Sequence, residues 1–245
     1  MSGHSKWNNI KRKKEKTDGA RAKVFTRMGR EIAVAVREGG PDPSTNGKLR
    51  DVIAKAKANN VPSDNIDRII KKAQGGDKAD YETITYEGYG PGGIAVIVQT
   101  LTDNRNRTAA DIRHYFDKFG GNLGTTGCVS FMFTQKGVIV IDSSELDEDK
   151  LMEDSIECGA DDISFDDGIA EVYTGIGDFS AVCEALQNMK YTFISADIAY
   201  VPSNYTRLEG EENLKKMGQL LEHLDDNDDV QDVWHNLENE EDLPE

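Results

Sequence analysis

The order of hydrophobic patterns between residues 138 and 201 constrains the fold of this 245-residue chain more than any other feature. Short apolar segments typical of strands alternate there with amphipathic segments typical of helices, and turn-forming residues separate them. Strands are predicted at 138–141, 162–165, 169–173 and 196–201, and helices near 145–158 and at 179–189. This β-α-β-β-α-β order is that of the ferredoxin-like fold. We therefore predict an α/β domain of this kind over residues 135–205.

The segments on either side of this domain predict a second α/β domain. Strand patterns at 83–87, 94–101 and 129–133, with a helix that begins after Asn104 or Asn106, come before it; a helix at 211–224 and a strand at 230–236 come after it. The last two elements are too few to fold alone. We therefore predict a discontinuous middle domain, residues 79–134 with 206–237, into which the ferredoxin-like domain is inserted. Residues 238–245 are predicted to be a solvated acidic tail.

Three amphipathic helices are predicted before the first strand, at about 18–38, 47–60 and 63–74. Each has one apolar face, so together they can form a small bundle. This bundle is the predicted N-terminal domain, residues 18–78. Residues 1–17 contain few apolar side chains and are predicted to be a basic arm that is mobile without a partner. The fold class predicted is therefore α+β, with a three-helix bundle and two α/β domains.

Charge is divided very unevenly along the chain, whose formal net charge is −16. Residues 1–75 hold 18 Lys and Arg against 8 Asp and Glu, whereas residues 141–245 hold 5 against 30. This asymmetry is typical of a basic module for a polyanion, with acidic domains that keep the rest of the surface away from it. The alternative is that the acidic charge only serves solubility and that the basic part is an ordinary solvated surface.

The basic residues lie in the arm, on the side of the first helix that is opposite its apolar stripe, and beside the apolar face of the second helix. Each Lys or Arg that neutralises a phosphate releases condensed counterions, so such binding is salt-sensitive and largely independent of sequence. Trp7 either stacks on an exposed base or packs on the bundle. The residues predicted to contact nucleic acid are Lys6, Trp7, Lys11, Arg12, Lys13, Lys14, Lys16, Arg21, Lys23, Arg27, Arg30, Arg37, Lys55 and Lys57.

Two loops at opposite ends of the predicted strand 94–101 are candidates for a second contact. The first contains Gly90, Gly92 and Gly93, in a Gly-x-Gly-x-x-Gly pattern that leads into a strand and not into the helix that a dinucleotide site requires. It favours a hairpin loop whose backbone can approach a phosphate. The second contains Arg105 and Arg107 at a helix N-terminus, which favours anions. Salt bridges within that loop are the alternative for these arginines.

Metal-binding, catalytic and membrane functions find little support in the sequence. The residues Asp225-x-Asn227-x-Asp229 resemble the start of an EF-hand, but Val230 stands where that loop requires glycine. The four histidines have no ligand spacing, and we predict no enzymatic activity, metal or cofactor. Three widely spaced cysteines favour a reducing cytoplasm. The longest apolar run, 94–98, is too short to cross a bilayer.

Several motifs resemble the YebC/PmpR family. They are Ser2-Gly3-His4-Ser5-Lys6-Trp7, Lys23-Val24-Phe25, Asn46-Gly47-Lys48-Leu49-Arg50, Ala58-Asn59-Asn60-Val61-Pro62, Tyr86-Glu87-Gly88-Tyr89-Gly90-Pro91-Gly92-Gly93 and Asp103-Asn104-Arg105-Asn106-Arg107-Thr108. The similarity runs over essentially the entire chain. It implies three domains, one helical and two α/β, and a cytoplasmic protein of gene expression.

The resemblance leaves the nucleic acid open. Members of that family are described as DNA-binding transcriptional regulators, and relatives that include the mitochondrial translational activator of cytochrome c oxidase as ribosome-associated factors. In the residues themselves, the basic surface has few Asn or Gln to read bases, and no recognition helix or dimer is evident, which favours irregular RNA over a DNA operator. The first hypothesis is therefore a translation factor that binds ribosomal RNA or tRNA. The second is a DNA-binding transcriptional regulator, and the third an enzyme or small-molecule sensor.

Overall fold

Three helices at the start of the described chain pack around one apolar cluster. The structure, a computed structural model, describes residues 18–75, 80–166 and 168–244. The helices are α1 (Asp18–Gly39), α2 (Gly47–Ala58) and α3 (Ser63–Gln74). Asn46 caps α2 by accepting from the Leu49 backbone N–H at 3.0 Å, and its amide donates to the Ala35 carbonyl of α1 at 2.7 Å. The predicted three-helix bundle is confirmed.

Two four-stranded antiparallel sheets follow the bundle. Their elements are β1 (Glu82–Tyr89), β2 (Ala95–Thr102), α4 (Arg105–Lys118), β3 (Asn122–Leu123), β4 (Phe133–Asp142), α5 (Glu148–Glu157), β5 (Asp162–Asp166), β6 (Ile169–Thr174), α6 (Phe179–Asn188), β7 (Phe193–Pro202), α7 (Glu211–Asp226) and β8 (Val230–His235). The strand orders are β3-β1-β2-β8 and β5-β6-β4-β7. The second order, with two helices, is ferredoxin-like. Because β8 pairs with β2 after the chain has left the second sheet, the ferredoxin-like domain is inserted into the middle domain, as predicted.

The two sheets pack face to face, and the helices cover their outer faces. Val96 and Val98 of β2 pack under α4 and α7, whereas Ala95 and Ile97 of the same strand face the second sheet. β4 is divided in the same way: Val138 and Val140 belong to the cluster between the sheets, whereas Ile139 and Ile141 pack under α5 and α6. Burial on both faces explains why β2 reads as a continuous apolar run instead of an alternating one.

The predicted strand at 129–133 is wrong. Residues Ser130–Met132 form a single 3-10 turn, and the short β3 takes the remaining place in the first sheet. The reason is Glu87, whose buried carboxylate accepts from the backbone N–H groups of Gly127, Val129 and Ser130 at 2.8–2.9 Å. Those groups are therefore not available to a strand ladder, and the turn leaves Phe131 76% exposed.

The predicted solvated tail is also wrong for its first part. Asn239 is buried, and its side chain both accepts from and donates to the Leu208 backbone, at 2.8 and 3.1 Å. Glu240 is buried 3.7 Å from His235, and Leu243 packs against the core of the middle domain. Hydrogen bonds hold Asn239 in the fold, and Glu240 is buried beside His235, so the acidic composition of this segment does not make it solvated.

Candidate nucleic-acid interface

The first part of the basic side of α1 faces an acidic segment of the middle domain. This segment, Asp225-Asp226-Asn227-Asp228-Asp229, ends α7 and leads into β8, and we call it the acidic turn. Both terminal guanidinium nitrogens of Arg27 donate to Asp225 Oδ1 at 3.1 Å, and Arg27 is only 7% exposed. Lys23 pairs with Asp226 in the same turn. These two predicted contact residues are therefore engaged within the chain.

Asp229 joins the bundle to the second candidate loop. Arg30 of α1 donates to its Oδ1 at 2.7 Å, and Arg107 of α4 donates to its Oδ2 at 2.8 Å. The Thr108 hydroxyl adds a third hydrogen bond at 2.7 Å. Burial by itself would raise the pKa of Asp229, but these hydrogen bonds hold that pKa below its usual range. Arg30 and Arg107, which the sequence assigns to separate surfaces, thus meet at one carboxylate.

Arg107 also forms a salt bridge with Asp103 in the same loop, with 3.0 Å between Nη2 and Oδ1. Such a local salt bridge was the alternative to nucleic-acid binding for the arginines of this loop. Arg105 is exposed at the start of α4. At the far end of α1, Arg37 pairs with Asp80 at 2.5 Å and donates to the Tyr81 carbonyl at 2.9 Å, with its side chain about half exposed.

Lys55 of α2 lies in a cleft of about 1000 Å³ that all three domains line. Its ammonium is 3.0 Å from Asp197 of β7 and 3.7 Å from Glu31 of α1. Although burial would lower the pKa of Lys55, these carboxylates and Asp232 raise it. Burial raises the pKa of Glu31 as well. Lys55 therefore holds the bundle against the ferredoxin-like domain, and its charge is already neutralised.

The glycine loop is shaped by packing. A Cβ at Gly90 would stand 3.0 Å from the Met217 sulfur, and one at Gly92, where φ is +66°, would stand 2.2 Å from Leu208 Cδ1. Gly93 alone of the three faces open space. The eight residues of β2 separate this loop from Arg105 by about 25 Å, so the two loops do not form one site.

A groove on the outer side of the bundle collects basic side chains that the acidic turn does not reach. It has a volume of about 670 Å³ and lies between α2, α3 and the loop at 41–43. Arg50, Lys57 and Lys71 line it, and Asp67 is the only carboxylate in its lining. Among the described residues, none of these three cations has an ion-pair partner. Isoleucines of both helices form its apolar floor. We call this the basic groove.

The remaining predicted contacts lie outside the described residues. They are Lys6, Trp7, Lys11, Arg12, Lys13, Lys14 and Lys16, and for Arg21 the structure describes only the helical backbone. Of the other predicted residues, Lys57 alone lines the basic groove. Arg50 and Lys71 were missed, although their recurrence beside the apolar positions of α2 and α3 is visible in the sequence. No cluster of three or more His, Cys, Asp or Glu that could hold a metal occurs in the part of the chain that the structure describes.

Comparison with known proteins decides the family. The model of the TACO1/YebC N-terminal domain matches residues 5–76, and that of the TACO1/YebC second and third domain matches residues 81–237. The chain belongs to the TACO1/YebC family. The resemblance read from its motifs is therefore confirmed. Within the described ranges, no helix is long and apolar enough to span a membrane.

Relatives of this TACO1/YebC chain match it along nearly their whole length. A probable transcriptional regulatory protein of Finegoldia magna is 57% identical over 98% of this chain and all of the relative. One from Caldicellulosiruptor bescii, with the same description, is 56% identical over 98% of this chain and all of the relative. The crystal structure of a conserved hypothetical protein from Aquifex aeolicus has a TM-score of 0.83 and 42% identity, and the match covers 90% of this chain and 91% of that one.

Proposed function

We propose that this protein is a non-enzymatic, nucleic-acid-binding regulator of gene expression that acts as a ribosome-associated translation factor in the cytoplasm. It would bind ribosomal RNA or tRNA through the basic arm and the helical bundle. The observation that carries the proposal is the basic groove, where Arg50, Lys57 and Lys71 face solvent without carboxylate partners among the described residues. Each can neutralise a phosphate and release counterions.

The shape of the groove favours RNA over a DNA duplex. The major groove of B-DNA receives a protruding helix or ribbon, whereas the basic groove is a depression between two helices. A single strand or a loop with splayed bases can enter such a depression, and its ribose and bases would meet the apolar floor while its phosphates meet the rim. Phosphate contacts of this kind give affinity without sequence specificity.

A salt titration of RNA binding tests the groove. Arg50→Ala/Lys57→Ala/Lys71→Ala is compared with Arg113→Ala/Lys150→Ala/Lys215→Ala, which removes the same charge from exposed positions outside the groove. Fluorescence anisotropy with a labelled 20-nucleotide single-stranded RNA is measured between 50 and 300 mM KCl. Three lost phosphate contacts should weaken binding on the order of 100-fold at 0.1 M salt and reduce the slope of log K against log salt by about 2. Equal effects in both variants would reject the groove.

The alternative function is a DNA-binding transcriptional regulator that uses the same basic surface. The description of the curated relatives as probable transcriptional regulatory proteins favours it. Sedimentation of cell lysate separates the two: migration with ribosomes that survives DNase but not RNase supports translation. Recovery on a defined promoter fragment, with protection of a fixed sequence, supports transcription and rejects our preferred assignment.

A further inference from the structure

The acidic turn places carboxylates where the end of a helix disfavours them. Asp225 and Asp226 lie in the last turn of α7, at the negative end of its dipole, and Asp228 and Asp229 follow within three residues. Negative charge at that end of a helix is unfavourable, and neighbouring carboxylates repel each other. The stability of α7 therefore does not explain this run, and its contacts with α1 do.

Those contacts resemble the ones that phosphates would make with the same helix face. Lys23, Arg27 and Arg30 are spaced i, i+4 and i+7, so they form a row about 10 Å long on one side of α1. Such a row spans about three phosphates of one strand, whose axial spacing is about 3.4 Å. Arg27 grips one carboxylate with two nitrogens, and also donates to the Asp225 carbonyl at 2.5 Å. A phosphate oxygen can accept from the same two guanidinium nitrogens.

The two ends of the acidic turn differ in exposure. The side chains of Asp225 and Asp226 are 26% and 61% exposed, so water and ions reach them. The side chain of Asp229 is only 4% exposed and bonds to α4 as well as to α1. Exchange with another anion can therefore begin at Lys23 and Asp226, and Arg27, whose side chain is 8% exposed, becomes accessible once Asp225 leaves it, whereas Asp229 keeps its partners.

We propose that the α1 face formed by Lys23 and Arg27 is a second nucleic-acid surface, and that the acidic turn covers it as an internal competitor for backbone phosphate. Bound polymer displaces Asp225 and Asp226 from this face, while the contact between Arg30 and Asp229 remains as the pivot. This inference rests on the proposed function, because it specifies how nucleic-acid binding is regulated. The affinity of the resting protein is then lower than its basic residues would give.

Neutralising the exposed end of the turn tests the proposal. Asp225→Asn/Asp226→Asn is compared with Glu211→Gln/Glu212→Gln, which changes the net charge equally at the other end of α7, away from α1. Anisotropy with the same single-stranded RNA should give on the order of 10-fold tighter binding for the first variant than for the second. Two added phosphate contacts should steepen its salt slope by about 1.4. Adding Lys23→Gln and Arg27→Gln should remove the gain.

The outcomes separate this inference from the proposed function. If the wild type binds RNA and both variants bind it equally well, the acidic turn is not a competitor. If no form of the protein binds RNA or a DNA duplex of the same length, the proposed function is wrong and this inference falls with it. Hydrogen exchange gives a second readout on the wild type, where residues 221–229 should exchange faster when RNA is bound. Unchanged exchange there, with RNA bound, would also overturn the proposal.

Discussion

Substitution of Asp229 by asparagine should destabilise the middle domain far more than its single lost charge suggests. The carboxylate accepts from Arg30, Arg107 and Thr108 at 2.7–2.8 Å, and an amide has only one oxygen to offer them. The bond from Arg107 counts least, because that side chain is 47% exposed. With about 1.5–3 kcal/mol for a buried charged hydrogen bond and about 1 kcal/mol for a neutral one, the expected loss is about 3–4 kcal/mol.

Urea unfolding can measure this loss at the site itself. The chain has two tryptophans, and in a Trp7→Phe background Trp234 of β8 is the only reporter. With a slope of about 2 kcal/mol per molar urea, Asp229→Asn should lower the midpoint by about 1.5–2 M. Asp228→Asn is the matched control, because Asp228 is exposed and meets Arg30 through its backbone carbonyl. It should change stability by less than about 0.5 kcal/mol.

The destabilisation by Asp229→Asn should depend on pH, in a direction that follows from the pKa of Asp229. The pKa of Asp229 is lowered in the folded protein, so its stabilising effect is fully present above the unfolded pKa of about 4. That effect is lost as the pH falls through the lower folded pKa. The difference between wild type and Asp229→Asn should therefore shrink below about pH 4. A difference that stays constant from pH 7 to pH 3, or a control that is equally destabilised, would refute the reasoning.

Three further substitutions test other parts of the structure. Lys55→Met leaves the half-buried carboxylates of Glu31 and Asp197 without this cation and should cost about 1–2 kcal/mol by calorimetry, whereas an unchanged stability would contradict that role. Glu87→Gln should free the loop that this carboxylate holds, so that chymotrypsin cleaves the loop about 10-fold faster. Because the pKa of Glu87 is lowered in the folded protein, acid that protonates this carboxylate should also free the loop of the wild type. Unchanged cleavage would reject the anchor. Gly92→Ala should lower the melting temperature more than Gly93→Ala, since only the first meets a side chain; equal effects would dismiss the clash.

Most of the fold could be predicted because the spacing of apolar residues within a helix or strand can be read from that segment of the sequence alone. The helices and strands of the ferredoxin-like domain follow from alternation and glycine placement, and the insertion follows from the two elements left over after it. The strand predicted at 129–133 failed for a non-local reason. Its apolar residues are typical of a strand, but the backbone N–H groups of Gly127, Val129 and Ser130 bond to Glu87, about 40 residues earlier in the chain.

The candidate site was predicted less well, because the sequence gives the sign of a charge but not its partner. The basic stripe of α1 is a helical pattern and could be read directly. The carboxylates that meet Arg27 and Arg30 lie 198 and 199 residues further along the chain. The acidic turn itself was visible, but as an incomplete EF-hand loop. The basic first part and the acidic last part of the chain indicated polyanion binding, but opposite charges in one chain are also consistent with pairing between these two parts.

The contacts between the domains of this protein are of two kinds. The β-domains are joined by buried side chains such as Ile97 and Val140, and that joint resists salt. The bundle has a separate apolar core and is joined to both β-domains largely by ion pairs, of which salt screens the exposed ones, such as Lys23–Asp226, more than the buried pair of Arg30 and Asp229. Raising ionic strength should therefore loosen the exposed contacts of the bundle before any contact between the β-domains, under the same conditions that weaken binding to a polyanion.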